Sequence, residues 1–564
     1  MKFEQYTYER PNMNEFEQHF HHALKQMKEA STFQVHMEAI EEINQIRRDF
    51  NTMYTLCSIR YSIDTTNEFY KKEQDYLDEV SPQMEGLVSK YYEALVNSNY
   101  RKELEKKWGT HLFQLAECQL KTFTPEIIPL LQQENKLVTE YTELIASAKI
   151  MFEGEERTLA QLQPFVESPD RNMRKRAIEA RFSFFAEHEE KLDQLYDDLV
   201  KVRTEIAHKL GFKNFIELGY LRLQRTDYDA SMVKTYREQI KQHIVPLATE
   251  LRKRQAKRIG VDELKFYDES FNFPSGNAQP KGDATWILQH GKTMYHELSK
   301  ETKEFIDFLL DRHLMDVEAK KGKASGGYCT YIDNYQAPFI FSNFNGTSGD
   351  IDVLTHEAGH AFQVYSSRHF TVPEYLWPTL EACEIHSMSM EFFTWPWMHL
   401  FFEEDTDKYK FTHLTGALLF LPYGVAVDEF QHFVYEHYEA SPEERKKKWR
   451  ELEQTYLPHR DYDGLDYLER GGFWQRQGHI YSDPFYYIDY TLAQICALQF
   501  WKRSQENHDQ AWEDYLHLCQ LGGSLPFTEL VKEAKLLSPF AEGCVASTIQ
   551  PIREWLNQIN DKAL

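Results

Sequence analysis

Apolar positions recur three and four residues apart along most of the chain, a spacing that predicts helices. From Asn14 to about Ser147 this pattern is nearly unbroken, as in Ala39-Ile40-Glu41-Glu42-Ile43-Asn44-Gln45-Ile46 and from Leu104 to Leu120. It stops at Ala148–Pro164, where Ile150-Met151-Phe152, Glu153-Gly154-Glu155 and Arg157-Thr158-Leu159 predict a short hairpin around a glycine turn. Helices resume after Ser168-Pro169-Asp170, read as an N-cap followed by proline at the first helical position. They run through Lys201-Val202-Arg203, and Gly211 breaks them. Asp229-Ala230-Ser231 caps a long helix to about Arg258.

One stretch predicts a sheet. Gly326-Gly327 precedes Tyr328–Ile332, and Phe339–Phe344 ends at the turn dipeptide Asn345-Gly346. A helix then follows from Ile351 to Tyr365, with Ser348 or Asp350 as its cap. Such a sheet is either a small core element or one whose free edge accepts an extended peptide.

Composition narrows the class. The 564 residues suggest two to four domains, and 24 glycines with 20 prolines favour long helices over a β-sandwich. A net charge of −25 disfavours nucleic acid and anionic membranes as partners. The short run Arg445-Lys446-Lys447-Lys448 is read as a solvated helix surface, and His19, His21 and His22 as a solvated face. Seven dispersed cysteines without a C-x-x-C pair fit free thiols in a reducing compartment. Met1–Gln5 lacks an apolar leader core and no 18-residue apolar run occurs, so the expectation is a soluble, cytoplasmic protein.

The chemistry centres on His356-Glu357-Ala358-Gly359-His360. On a helix, His356 and His360 share a face and can bind one zinc ion, with Glu357 beside the position left for water. Zinc in catalytic sites takes a third protein ligand. Candidates are Glu381, Glu384 and Glu391, on a helix bracketed by Pro378 and Pro396; spacing does not choose among them. His386, two positions from Glu384, points nearly the opposite way. Downstream, Gly478–Tyr490 gathers His479, Tyr486, Tyr487 and Tyr490, which either pack or donate to the oxygen that gains charge in amide hydrolysis.

His356–His360, then Glu384, Glu391 seven later and the His479/tyrosine segment together resemble the M3 family of zinc metallopeptidases. Within it the chain looks most like the Pz-peptidase type of the oligoendopeptidase F branch, from about Asp227 to Tyr490. The resemblance implies a mainly helical fold of two lobes, with a small β-sheet beside a deep channel and one Zn²⁺ per chain. We set the lobes at residues 1–205 and 206–564. It selects Glu384 as third ligand and Glu391 as the carboxylate holding a histidine ligand; Asp352, one turn before His356, is a further candidate for that role. It carries transition-state donors onto His479 and Tyr490, while Tyr486 and Tyr487 compete for a third place. Thimet-type relatives have a glycine-rich loop where this chain has Ser482-Asp483-Pro484. The implied activity is cleavage of internal bonds in short unfolded peptides, collagen-derived ones among them. A structural zinc scaffold, which would recruit cysteines such as Cys383, and a zinc exopeptidase are the rival readings; the oligomeric state stays open.

Overall fold

The chain opens with six α-helices: Met13–Glu29, Phe33–Ile63, Glu68–Val96, Arg101–Trp108, His111–Thr122 and Ile128–Ala146. The computed structural model describes the chain apart from residues 321 and 325 and the side chains at positions 78, 139, 142, 143, 146 and 160. Short polar side chains start these helices: Thr32 accepts the Val35 N–H, and Asn67 those of Phe69 and Tyr70. Phe20, Ile40, Leu77 and Leu112 bury their faces in one cluster with Val372 and Tyr375, which lie beyond the H-E-x-x-H helix. The Tyr375 hydroxyl donates to Trp108 O and accepts the Leu112 N–H (2.7 and 2.9 Å), so these helices are docked against that segment. His19, His21 and His22 are exposed, as expected.

The hairpin forms, with β1 (Ile150–Phe152) antiparallel to β2 (Glu155–Arg157) and a left-handed Glu153-Gly154 turn. The next cap is shifted. Asp170, not Ser168, accepts the Asn172 N–H, and Pro169 precedes the helix Arg171–Glu187. A carboxylate two residues nearer the helix takes that bond, while Ser168 Oγ accepts the Asp170 N–H. Gly211 and Asp229 act as read: the first turns with φ +86°, the second caps Ala230–Ile259.

The basic run is not solvated throughout. Arg445 and Lys446 are buried where helix Pro442–Tyr456 packs on Glu189–Lys209. There Glu189, Asp193 and Asp197, four apart, form an acidic ridge on one face. Lys446 pairs with the first two (2.6 Å each) and Arg445 with the third (3.2 Å).

The expected sheet exists with an extra strand. β3 (Met315–Glu318) runs parallel to β5 (Ala337–Phe344), and β4 (Tyr328–Ile332) pairs antiparallel on the other side of β5. β5 is almost wholly buried and leads into the H-E-x-x-H helix, Gly349–Ser367; among the described residues no strand pairs with the outer edge of β4.

Candidate active site

The turn between β5 and the helix Gly349–Ser367 is braced by Asp350, which accepts the N–H groups of Asn345 and Gly346 (2.8 and 2.7 Å). Neither expected cap forms in the usual way: Ser348 holds the position without a side-chain bond, and Asp350 reaches backward to the strand. Gly359 then has a packing role. A Cβ there would lie 2.6 Å from both His386 O and Ser387 Cα, so only glycine lets helix Leu380–Phe393 cross in contact.

That close crossing draws Glu384 over the histidines. Its Oε2 is 3.2 Å from His356 Nε2 and 3.6 Å from His360 Nε2, and the three ligand atoms lie within 4.8 Å of one another. Among the described residues no other trio of His, Cys, Asp or Glu converges in this way. Glu381 turns instead to Thr379 and Tyr228, His386 is buried beside Tyr515, and the Cys383 thiol donates to Pro378 O (3.4 Å).

Behind the trio, Glu391 Oε1 is 2.7 Å from His356 Nδ1 and its Oε2 is 2.6 Å from His413 Nε2. The Trp395 indole donates to His413 Nδ1 (2.9 Å), so the hydrogen of a neutral His413 sits on Nε2 and is donated to Glu391. His413 lies on the long helix Thr406–Glu436, and no spacing in the sequence connects it to the motif. Asp352 accepts the Tyr409 hydroxyl (2.7 Å) rather than a ligand imidazole, and the Tyr409 ring stacks on His413. Burial opposes charge on Glu391, but its two imidazole partners hold it below the usual carboxylate range. Burial likewise opposes charge on Glu384, and His360 and His356 outweigh it. For Glu357, burial wins over the two imidazoles and the carboxyl is pushed up.

The opposite wall comes from the short helix Gly478–Ser482 and the start of Tyr487–Glu506. The Tyr423 hydroxyl donates to Gln477 Oε1 (2.7 Å), which turns the Gln477 amide nitrogen toward His479 Nδ1 (2.8 Å). His479 therefore keeps its hydrogen on Nε2, 3.5 Å from the Tyr490 hydroxyl. Burial lowers its pKa, against Asp483 and Glu384, and favours the neutral form. Tyr486 donates to Glu384 Oε1 (2.9 Å), whereas the Tyr487 ring packs against Phe420 and Tyr423.

Ser482-Asp483-Pro484 leads into Phe485, which holds φ +67°. A bulky residue there costs about 1–3 kcal/mol and needs support from outside. Its N–H donates to Gln431 (3.0 Å), and its carbonyl accepts from Arg225 (2.6 Å), which also pairs with Asp489 (2.7 Å). Its ring sits among Phe215, Tyr220, His432 and Tyr435. Gly219 makes room, since a Cβ there would lie 2.7 Å from that ring. Nothing local in the sequence announces this clamp.

A helical fold carrying an H-E-x-x-H helix, a crossing glutamate and a facing imidazole–phenol wall is that of a metallopeptidase. The chain belongs to Peptidase family M3, whose model matches residues 165–548; the model for the Peptidase M3 N-terminal domain matches residues 3–123. A solved structure of PZ peptidase A with an inhibitor is 67% identical, each chain covering 100% of the other, at a TM-score of 0.96. An oligoendopeptidase F homolog of Borreliella burgdorferi is 23% identical over 515 residues, 87% of this chain and 85% of that protein. The group B oligopeptidase PepB of Streptococcus agalactiae is 22% identical over 533 residues, 86% and 84% of the two chains. The protein is thus a hydrolase of peptide bonds in a family that is generally zinc-dependent.

Proposed function

We propose that the protein is a zinc-dependent endopeptidase that cuts internal bonds of short, unfolded peptides, collagen-derived ones among them, in a narrow channel. The observation that carries this reading is the convergence of His356, His360 and Glu384 within 4.8 Å, with Glu357 next in sequence to His356. Two imidazole nitrogens and one carboxylate oxygen form a donor set that suits zinc and leaves a place for solvent. Glu391 occupies His356 Nδ1, which commits Nε2 to the ligand side. Zinc bound there would polarise the scissile carbonyl and the attacking water.

The rest is the work of the chain's own residues. Glu357, its pKa raised by burial, takes a proton from the attacking water and passes it to the leaving nitrogen. His479 Nε2–H and the Tyr490 hydroxyl donate to the former carbonyl oxygen as it gains charge. Of the two competing tyrosines, Tyr486 is the third donor, because its hydroxyl already stands at Glu384 while Tyr487 is engaged in packing. The outer edge of β4 begins beside Glu357: a Cβ on Gly327 would lie 3.8 Å from Glu357 Oε1. An extended peptide paired with that edge passes the general base. No helix among the described residues is long and apolar enough to cross a membrane. The net charge of −25 favours peptides, rather than nucleic acid or an anionic membrane, as what the protein meets, and dispersed cysteines without a C-x-x-C pair fit a reducing compartment such as the cytoplasm.

Metal analysis with cleavage mapping on peptides blocked at both ends tests the proposal. Wild type should hold one zinc per chain and cut internally; Glu357→Gln should keep the zinc and lose about 10⁴-fold in kcat. Turnover near wild type in that variant, or cleavage only at free ends, overturns it.

A further inference from the structure

A cavity of about 420 Å³ lies between helix Arg171–Glu187 and the long helix Thr406–Glu436. Its charged lining is Arg181, Arg252, Arg460 and Arg476 against one carboxylate, Glu269. That carboxylate is already engaged: Arg460 donates to both its oxygens (3.1 and 2.8 Å) and Arg252 to one (3.4 Å). Among the described residues, neither Arg181 nor Arg476 has a carboxylate within ion-pair distance. Arg181 donates to neutral oxygens, Gln163 Oε1 (3.0 Å) and Leu159 O (3.4 Å), and Arg476 lies over the Phe473 ring. Burial, and next the charge of Arg476, pull Arg181 down to about 10. In a chain of net charge −25, the lining of this pocket carries more positive than negative charge, and Glu167 acts on Arg181 from nearby without pairing with it.

The pocket shares aromatic side chains with the wall that carries His479. Phe420 and Tyr423 line it and meet the Tyr487 ring edge-on at 5.7 and 5.8 Å, and Tyr487 lies 5.1 Å from His479. Tyr423 also fixes Gln477, which fixes His479. Eleven helical residues separate Thr412 from Tyr423 along this wall, about 16 Å, the span of about five extended peptide residues.

We propose that this pocket binds a carboxylate of the peptide substrate through Arg181 and Arg476, and so sets how many residues from that anion the chain is cut. The group is either the C-terminal α-carboxylate or an acidic side chain near it; guanidinium pairs suit both. The inference rests on the peptidase reading above.

The test is a matched set: a peptide with a free C-terminus, the same peptide amidated, and the amidated peptide with a glutamate near its end. On wild type, amidation should lower kcat/KM about ten- to a hundredfold, through KM. Recovery by the glutamate assigns the side chain as the source; failure to recover assigns the α-carboxylate. Arg476→Gln should collapse the free-to-amidated ratio toward one, and Arg476→Lys should keep part of it. Should Arg476→Gln not fold, the wild-type ratio decides. Equal kcat/KM for all three peptides overturns the pocket while leaving the active-site reading intact. If wild type cuts none of them, that reading fails instead. The pocket is then judged by calorimetric Kd values on Glu357→Gln, where equal affinity for free and amidated peptides overturns it.

Discussion

Behind the ligand histidines a hydrogen-bonded chain runs from Trp395 through His413 and Glu391 to His356, whereas across the cleft the Tyr490 hydroxyl lies 3.5 Å from His479. The first wall is assembled from long helices crossing at Gly359. The second hangs on a short helix and a strained Phe485, held in place from outside. The contrast follows the order in which charge appears. In the proposed mechanism the ligands serve a cation that is present before the reaction, so their geometry would be fixed by satisfied bonds. Donors serve an oxygen whose charge develops later, and a donor left unspent in the ground state contributes more to the rate.

If the walls divide the labour in this way, substitutions should separate metal affinity from turnover. The largest effect belongs to the donor wall. Tyr490→Phe should lower kcat by roughly 10²–10³ without changing zinc affinity. An unchanged kcat would return Tyr490 to aromatic packing. Next comes the ligand wall: Glu391→Gln should weaken zinc binding by about ten- to a hundredfold in a chelator competition. Equal zinc affinity in both proteins would mean that the chain through His413 does not orient His356.

The two walls also differed in how far they could be read from sequence. His356 and His360 stand one helical turn apart, so their pairing follows from spacing, whereas Glu384 and Glu391 were singled out from Glu381 only by the family resemblance, because the crossing at Gly359 that decides between them is not written in the period. The cap expected at Ser168 moved two residues to Asp170, whose carboxylate takes the Asn172 N–H, while Ser348 holds its cap position without a side-chain bond and Asp350 braces the preceding turn instead. His413, Arg225 and Gln431 gave no signal at all. Each reaches the site from a distant helix, and the positive φ of Phe485 is set by those contacts and not by its neighbours in the chain. The buried half of the Arg445–Lys448 run was hidden for the same reason: its acidic ridge lies some 250 residues upstream.

Gly219 tests the outside support of the donor wall. Gly219→Ala puts a methyl group 2.7 Å from the Phe485 ring, an overpacking that typically costs about 1–3 kcal/mol. Displacing Phe485 shifts Tyr486 and Tyr490 with it, so kcat should fall along with stability while zinc affinity holds. A variant that loses stability but keeps its kcat would show that the clamp supports the fold and not the donors.

The smallest effect is a pH dependence confined to the same cage. Burial lowers the His432 imidazole to about 4, outweighing Asp428, while Arg237 and Arg225 add to the fall. His432 packs on Phe485 at 4.9 Å between ring centres, and its Nε2 is 3.0 Å from the Tyr220 hydroxyl. In the unfolded chain an imidazole titrates near 6.5. Between those values the unfolded chain takes up a proton that the folded chain refuses. The contribution of His432 is therefore complete above about pH 6.5 and is lost progressively as pH falls toward 4. Between pH 7 and 5.5 the loss is about 1 kcal/mol. Denaturant unfolding at the two pH values should show wild type losing that much more than His432→Gln, the ligand histidines being common to both proteins. Parallel losses would place the acid sensitivity on the ligand wall, where Glu391 is held ionised by His356 and His413.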